Sequence, residues 1–308
     1  MGSKEKKQVG GQAVIEGVMM RSPEYVSVAV RKPDGKIVLK RDPYVSWTKR
    51  IRVLGLPLIR GGIVLIESLV LGIRALSFSG DVAMAEVDEG KNPKKNPDKG
   101  SKLWTGGAVL LALGVGVGVF FFLPLFLTEL TGVKGGVWFN LTDGGFRLVL
   151  FLGYLGLISL WKEIRRVFEY HGAEHKSVFA YEAGRPLTLD GVKSFSTHHP
   201  RCGTSFLLVV MLVSLVVFIF LGRPQDWGDR LIRFLFIPVI GGISYEVIRL
   251  SGTKYGKRIA QVLVAPGMWL QRITTREPDD SQLEVALVAL RSALDRDVES
   301  EVEIFHNP

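Results

Sequence analysis

The sequence predicts a mainly α membrane protein: a bundle of about four transmembrane helices, an amphipathic helix, and a small cytoplasmic β-hairpin region near the N-terminus. The 308-residue chain is 47% hydrophobic yet 22% charged, which is typical of apolar membrane segments separated by charged loops. Several apolar runs have the length of a bilayer crossing. Near the N-terminus, β-branched runs that alternate with polar residues flank a turn sequence, as expected of a hairpin.

Residues 1–50 are predicted to form this cytoplasmic β region, with residues 12–46 β in character. The runs YVSVAV and KIVLKR alternate, and KPDG lies between them. Pro33 presets φ and Gly35 accepts a positive φ, so this segment predicts a turn. The preceding stretch GGQAVIEGVMMRSP is apolar around the isolated Glu16.

Residues 51–80 are predicted to form an amphipathic or re-entrant helix. Arg60, Glu67 and Arg74 recur at seven-residue intervals, so they form one polar stripe on an otherwise apolar helix. Three charges make this helix a poor candidate for a bilayer crossing. Residues 81–103 follow as a polar linker rich in Lys, Pro and Gly.

Residues 104–252 are predicted to form a four-span bundle. Its spans are Thr105–Thr128, Phe146–Trp161, Thr204–Gly222 and Asp229–Leu250. A His-rich loop, 162–203, joins the second span to the third. Residues 253–308 contain a basic interfacial segment and a C-terminal amphipathic helix, capped by Asp280 or Ser281 and apolar at Leu283, Leu287, Leu290 and Leu294.

The distribution of basic residues predicts the topology. Segment 131–146 has few Lys and Arg residues, whereas 162–203 and both chain ends are rich in them. Basic loops stay in the cytoplasm, so both termini are expected on the cytoplasmic side of a bacterial plasma membrane. The net charge of +9 then favours anionic lipids at that face as partner, and no nucleic-acid motif is present. A homo-oligomer, an unknown substrate and a protein partner are all compatible with this sequence.

The stretch VFEYHGAEHKSVFAYE carries the strongest chemical signal. His171, Glu174 and His175 form the order H-x-x-E-H, and in a helix all three share one face with apolar residues. Two His residues one turn apart can ligate one divalent metal, most simply zinc, with Glu as base. This pattern predicts a hydrolase of the inverted-zincin type, in which Glu174 deprotonates a metal-bound water of pKa about 7.

A third ligand is needed, and the sequence offers four candidates. His199 and Cys202 lie in STHHPRCGTSF, just before the third span. Glu246 lies one turn from the cytoplasmic end of the fourth span, and Glu16 is more distant in the chain. Arg201 is a candidate catalytic residue that would stabilise developing negative charge. The expected reaction is hydrolysis of a peptide or lipid-linked substrate.

Two other classes of function remain open at this stage. In a membrane scaffold or assembly factor, the His and Glu residues would form only a buried hydrogen-bond network that stabilises the bundle. In an ion or metal transporter, the broken fourth span with Pro238 and Glu246 would line the path.

The segments GGQAVIEGVMMR, YHGAEHKSVFAYE, HPRCGTSF and REPDDSQLEVALVAL together resemble the YqhQ-like family of uncharacterised bacterial membrane proteins. This resemblance covers residues 10 to about 290. It implies a domain of unknown function in the bacterial plasma membrane, described as a predicted metal-dependent enzyme. It also implies that VIEGVMMR belongs to the site, which adds weight to Glu16 and Arg21.

Overall fold

The N-terminal region folds as a five-stranded sheet in the computed structural model, which describes residues 6–84, 99–200, 202–251, 257–298 and 302–305. The strands are β1 (Gly10–Val14), β2 (Gly17–Arg21), β3 (Tyr25–Arg31), β4 (Ile37–Pro43) and β5 (Glu303–Phe305). They lie in chain order. β1 to β4 are antiparallel, and β5 joins β4 in parallel. A segment from late in the chain thus completes the N-terminal sheet.

The predicted hairpin is β3–β4, and it is confirmed with Gly35 at φ 88° in its turn. The sheet is larger than predicted, because β1 and β2 form a second hairpin. Its two-residue turn holds Glu16 at φ 49°, and Gly17 lies so close to β3 that a Cβ would sit 2.2 Å from the carbonyl oxygen of Ala29.

Twelve helical segments occur in the described part of the chain, apart from a short 3₁₀ turn at Arg52–Gly55 and a π-helical turn at Gly118–Phe122. They are α1 (Trp47–Arg50), α2 (Ile59–Met84), α3 (Lys99–Val117), α4 (Leu123–Leu130), α5 (Gly136–Ile158), α6 (Lys162–Ala183), α7 (Leu189–Lys193), α8 (Gly203–Leu221), α9 (Trp227–Leu235), α10 (Ile237–Ser251), α11 (Lys257–Thr274) and α12 (Asp280–Ala293).

The sheet lies between two helical layers. Alternate residues of each strand face opposite sides, and both sides carry buried apolar residues. Val18, Ala29 and Leu39 pack with α6 and α12 in one core, whereas Met19 and Val28 pack with α2 in another. The predicted C-terminal helix is therefore part of this core, and Leu283, Leu287, Leu290 and Leu294 are buried in it. Its N-cap is Asp279, one residue before the predicted caps.

Among the residues that the structure describes, five helices are long and apolar enough to cross a membrane, which confirms a mainly α protein of membrane character. They are Ile59–Met84, Gly106–Leu130, Gly136–Ile158, Gly203–Leu221 and Trp227–Leu250. The second predicted span begins ten residues earlier than expected, at Gly136. It also ends at Ile158, so α6 is a separate helix and not a continuation of the span. Most of the predicted linker 81–103 lies outside the described residues.

Helix α2 lies along the sheet and begins later than predicted, after Leu58 at φ 69°. The Glu67 carboxylate accepts hydrogen bonds from the Tyr44 hydroxyl (2.9 Å) and the Ser46 hydroxyl (2.8 Å). One member of the predicted polar stripe thus faces the chain that follows β4. We refer to the sheet with the helices α6 and α12 that pack on it as the sheet domain. The opposite face of α2 is apolar and exposed at Ile66 and Leu69. Helix α2 therefore covers one side of the sheet, and its first turns also pack against α10, where a Cβ at Gly61 would lie 2.7 Å from Cα of Gly242.

Gly172 permits the close contact between α6 and the chain before α12. A Cβ at this position would lie 2.0 Å from the carbonyl oxygen of Arg276, whose N–H donates to Phe168 (2.9 Å). We expect Gly172→Ala to lower the free energy of unfolding by about 1–3 kcal/mol, because the two backbones must separate. Thermal unfolding in detergent measures this loss.

Gly153→Ala is the matched control, since no atom lies within 4 Å of a Cβ at Gly153. Ala favours a helix over Gly, so this change should leave the melting temperature equal or slightly higher. Equal melting temperatures for the two variants would contradict the proposed packing role of Gly172.

Candidate metal centre

Helix α6 carries both histidines of the motif and turns them toward Thr197 and Cys202. The helix runs unbroken from Lys162 and ends at Gly184, which caps it at φ 72°. His171 and His175 are one turn apart, and their ring centroids lie 4.4 Å from each other. The predicted shared face is therefore confirmed.

A backbone carbonyl fixes the tautomer of His171. Its Nδ1 lies 2.8 Å from the carbonyl oxygen of Thr274, which can only accept a hydrogen bond. Nδ1 therefore carries the proton. Nε2 then presents a lone pair, and it lies 3.2 Å from Sγ of Cys202.

The same arrangement is repeated at His175. Its Nδ1 lies 2.5 Å from the carbonyl oxygen of Thr197, so this nitrogen is also the protonated one. Its Nε2 is buried and has no hydrogen-bond partner among the residues that the structure describes. Burial lowers the pKa of His175, so the ring is neutral at pH 7. A buried lone pair without a donor requires an explanation.

Cys202 is the third potential metal ligand. It is buried at the N-terminus of α8, where its Sγ accepts from the N–H of Thr204 (3.4 Å). The ligand atoms of His171, His175 and Cys202 all lie within 4.8 Å of one another. Two imidazoles and one thiol are ligands that zinc prefers, and three protein ligands leave the fourth position open. This His/His/Cys group could hold a metal ion.

Glu174 lies beside the group, with only 6% of its surface exposed. Its Oε2 is 3.5 Å from Nε2 of His175. Burial raises the pKa of Glu174, and this effect is opposed first by the nearby His171 and His199 and then by the N–H of Gly11. A Cβ at Gly11 would lie 2.6 Å from Cγ of Glu174, so β1 can approach only because this residue is glycine. The N-terminal glycine segment thus closes one side of the site.

A cavity of about 450 Å³ opens beside these side chains. Glu174, His175 and Cys202 line it on one side, and Tyr245 and Arg249 of α10 line it on the other. Since α10 belongs to an apolar helix of spanning length, the cavity lies where the bundle meets the sheet domain.

His199 lines the cavity but does not belong to the His/His/Cys group. Gln271 fixes its backbone, accepting from the His199 N–H (2.7 Å) and donating to its carbonyl oxygen (2.8 Å). The His199 ring packs edge-on against Phe179 and places Nε2 3.4 Å from Oε2 of Glu182. It therefore contacts the group from outside.

The two other predicted carboxylate ligands are engaged elsewhere. Glu246 pairs with Arg60 of α2, with 2.6 Å between Oε1 and Nε. Glu16 pairs with Arg166 at 2.5 Å, and it also accepts from the Tyr170 hydroxyl at 3.3 Å. Arg21 packs its guanidinium over the ring of Tyr44 instead of facing the cavity. Arg201 lies outside the described residues.

Three contributors to the site were not anticipated from the sequence: the carbonyl groups of Thr197 and Thr274, and the side chain of Gln271. Every residue has a carbonyl group, so no sequence signal marks the two that orient the histidines. Such partners of ligating histidines fix the tautomer and the ring orientation in metal sites. Their presence here supports the interpretation of the group as a metal site.

Comparisons with known proteins identify the family of the chain. Residues 56–296 match the family model described as "Protein of unknown function (DUF1385)". The chain is 35% identical over 305 residues to the uncharacterized protein YqhQ of Bacillus subtilis (strain 168), with 92% of each chain covered. No solved structure matches. The chain therefore belongs to the YqhQ-like DUF1385 family of proteins of unknown function.

Proposed function

We propose that the chain is a zinc-dependent hydrolase of the bacterial plasma membrane, with its site at the cytoplasmic interface. The observation that carries this proposal is the buried Nε2 of His175, which has no hydrogen-bond partner in the described structure and lies with Nε2 of His171 and Sγ of Cys202 within 4.8 Å. Zinc in such a site lowers the pKa of a coordinated water to about 7 and polarises a carbonyl or phosphoryl oxygen.

Residues of the chain would orient the metal ligands, transfer the proton and form the walls of the site. The carbonyls of Thr197 and Thr274 hold both imidazoles with Nε2 toward the common centre. Glu174 takes the proton from the attacking water and returns it to the leaving group. Residues of β1 and α10 form the walls of the cavity beside these side chains.

The packing also supports four membrane crossings. α6 packs on β1 and β2, so both elements lie on the same side of any membrane. Between the sheet and α6, the chain passes through three helical segments: α2, α3 with α4, and α5. Because the chain starts and ends on the same side of the membrane, an even number of these segments must cross it. Helix α2 packs on the sheet along much of its length and on α10 near its start, so we propose that it lies at the membrane surface, beside the end of α10, with its exposed apolar face toward lipid.

Helices α6 and α12 pack in one core, so the number of crossings between them must also be even. Among the described residues, the two apolar segments of spanning length between them are α8 and the α9–α10 pair, which gives two further crossings. The basic segment 162–203 then lies with the sheet domain, which favours a cytoplasmic location for this domain and both termini. The Arg60–Glu246 pair provides no specific support for transport through Glu246.

Cobalt substitution tests the ligand set. The chain has one cysteine, so any thiolate-to-cobalt charge-transfer absorption must come from Cys202. We expect this absorption in the wild-type protein reconstituted with cobalt(II), and we expect Cys202→Ser to lack it. Stoichiometric cobalt binding to the wild type without the charge-transfer band would contradict the role of Cys202.

A further inference from the structure

A second cavity, of about 480 Å³, lies within the bundle between α3, α5, α8 and α10. Its walls are apolar, formed by residues such as Phe120, Phe151, Leu207 and Phe218. All four helices belong to the segments long and apolar enough to cross a membrane. We refer to this cavity as the apolar groove.

The apolar groove and the candidate metal centre lie along the same face of α8. Gly203 lines the cavity of the centre, and Leu207, Val210 and Ser214 line the groove. The spacing of three and four residues places all four on one side of the helix. Along the axis of α8, Leu207 is about 7.5 Å from Cys202, and the groove continues for about 16 Å to Phe218.

Three polar side chains of the described structure lie in the groove wall: Arg147 and Ser214 are engaged within the protein, and Tyr154 contributes a single hydroxyl. Arg147 donates to Asp143 (2.9 Å), to the carbonyl oxygen of Phe120 (3.1 Å) and to that of Phe121 (3.3 Å). The π-helical turn at Gly118–Phe122 contains both of these carbonyls. The Ser214 hydroxyl donates to the carbonyl oxygen of Met211 (2.7 Å).

The hydrogen bonds of Arg147 and Ser214 favour a hydrocarbon chain over a peptide in the apolar groove. A peptide in the groove would need partners for its backbone N–H and C=O groups, which are costly to leave unpaired in an apolar environment. The groups of Arg147 and Ser214 that could serve are used within the protein. A hydrocarbon chain needs no such partners.

We infer that the apolar groove holds the hydrocarbon chain of a lipid substrate, whose polar group reaches the His/His/Cys centre. This inference rests on the proposed function and narrows its substrate to lipids or lipid-linked molecules. The scissile group then lies near Cys202, at the cytoplasmic end of α8, and the chain extends along α8 into the bilayer.

Photo-crosslinking tests this inference with the full-length protein in vesicles of phosphatidylethanolamine and phosphatidylglycerol. The probe is phosphatidylglycerol with a diazirine near the end of one acyl chain, and mass spectrometry maps the labelled residues. We expect labelling concentrated on groove residues of α8 such as Val210 and Ser214. Equal labelling of the outward-facing Val216 and Phe220, which are 52% and 86% exposed, would overturn the inference.

Two glycines of α3 provide a matched pair of variants. A Cβ at Gly116 or at Gly114 meets no atom within 4 Å, but only Gly116 lines the groove. Gly116→Phe should therefore fill the groove and lower its labelling about tenfold, equivalent to ~1.4 kcal/mol of binding free energy. Gly114→Phe should leave the labelling unchanged. Equal labelling of the two variants would overturn the inference.

Zinc analysis of the same samples separates this inference from the proposed function. Bound zinc together with groove labelling that is insensitive to Gly116→Phe would overturn the lipid groove alone. Absence of zinc from correctly folded wild type would overturn the hydrolase, and with it the assignment of the lipid as substrate, even if the groove binds a chain.

Discussion

Zinc should stabilise the wild-type protein strongly and should not stabilise His175→Ala. A ligand that binds only the folded state raises the free energy of unfolding by about 2.7 kcal/mol at a concentration of 100 times its Kd. Removal of His175 leaves two ligand atoms, which are too few for a closed tetrahedral site. Differential scanning fluorimetry of protein in detergent, with and without added zinc, measures the difference.

His198→Ala is the control for this experiment, because His198 is next to His199 but bonds to Ser196 and does not line the cavity. It should respond to zinc as the wild type does. His171→Ala should behave like His175→Ala, since the two rings are equivalent in their carbonyl partners. A zinc response that survives in both His171→Ala and His175→Ala would contradict the assigned ligands.

Glu174→Gln should retain zinc and lose hydrolytic activity. The amide fills nearly the same volume as the carboxylate, so the neighbouring histidines keep their positions, but it cannot accept a proton from water. Loss of a general base lowers turnover by about 10²–10⁴-fold. The assay uses vesicles of radiolabelled bacterial lipid extract that contain the purified protein, with product release measured by chromatography.

Glu169→Gln is the matched control on the same helix. Glu169 lies five residues from Glu174 and accepts a hydrogen bond from Gln282 (2.9 Å), away from the metal ligands. Its replacement should leave both zinc content and product release unchanged. Full activity of Glu174→Gln would show that another group activates the water.

The histidine face of α6 could be predicted because a helical period is a local property. Residues three and four apart share a face whatever the rest of the chain does. The choice between His199 and Cys202 as third ligand could not be predicted. It depends on where the fold places these two residues: Gln271 binds the backbone of His199, and Cys202 is the N-cap of α8.

The pairing of Glu246 and Glu16 with arginines could not be predicted from the sequence either. Glu246 and Glu16 stand isolated in apolar sequence, which makes each a natural ligand candidate. Their arginine partners lie 186 and 150 residues away in the chain, on helices whose relative rotation only the fold determines. An isolated carboxylate in an apolar segment therefore indicates that a partner exists. It does not indicate whether the partner is a metal ion or an arginine.

The sheet illustrates the same division between local and distant information. The β3–β4 hairpin has a local turn signal in KPDG, and this hairpin was predictable. The β1–β2 hairpin turns through Ile15 and Glu16 without a glycine at the turn, and β5 joins from the other end of the chain. Neither pairing has a short-range signature, so the N-terminal region was predicted smaller than it is.

The metal content of the native protein tests the central claim most directly. Wild-type protein, purified in mild detergent without added metal and without chelators, is analysed by inductively coupled plasma mass spectrometry. The buried and oriented ligand atoms of His171, His175 and Cys202 predict about one zinc ion per chain. Folded protein that contains no stoichiometric metal, and that gains neither bound zinc nor stability when zinc is added, would contradict the account.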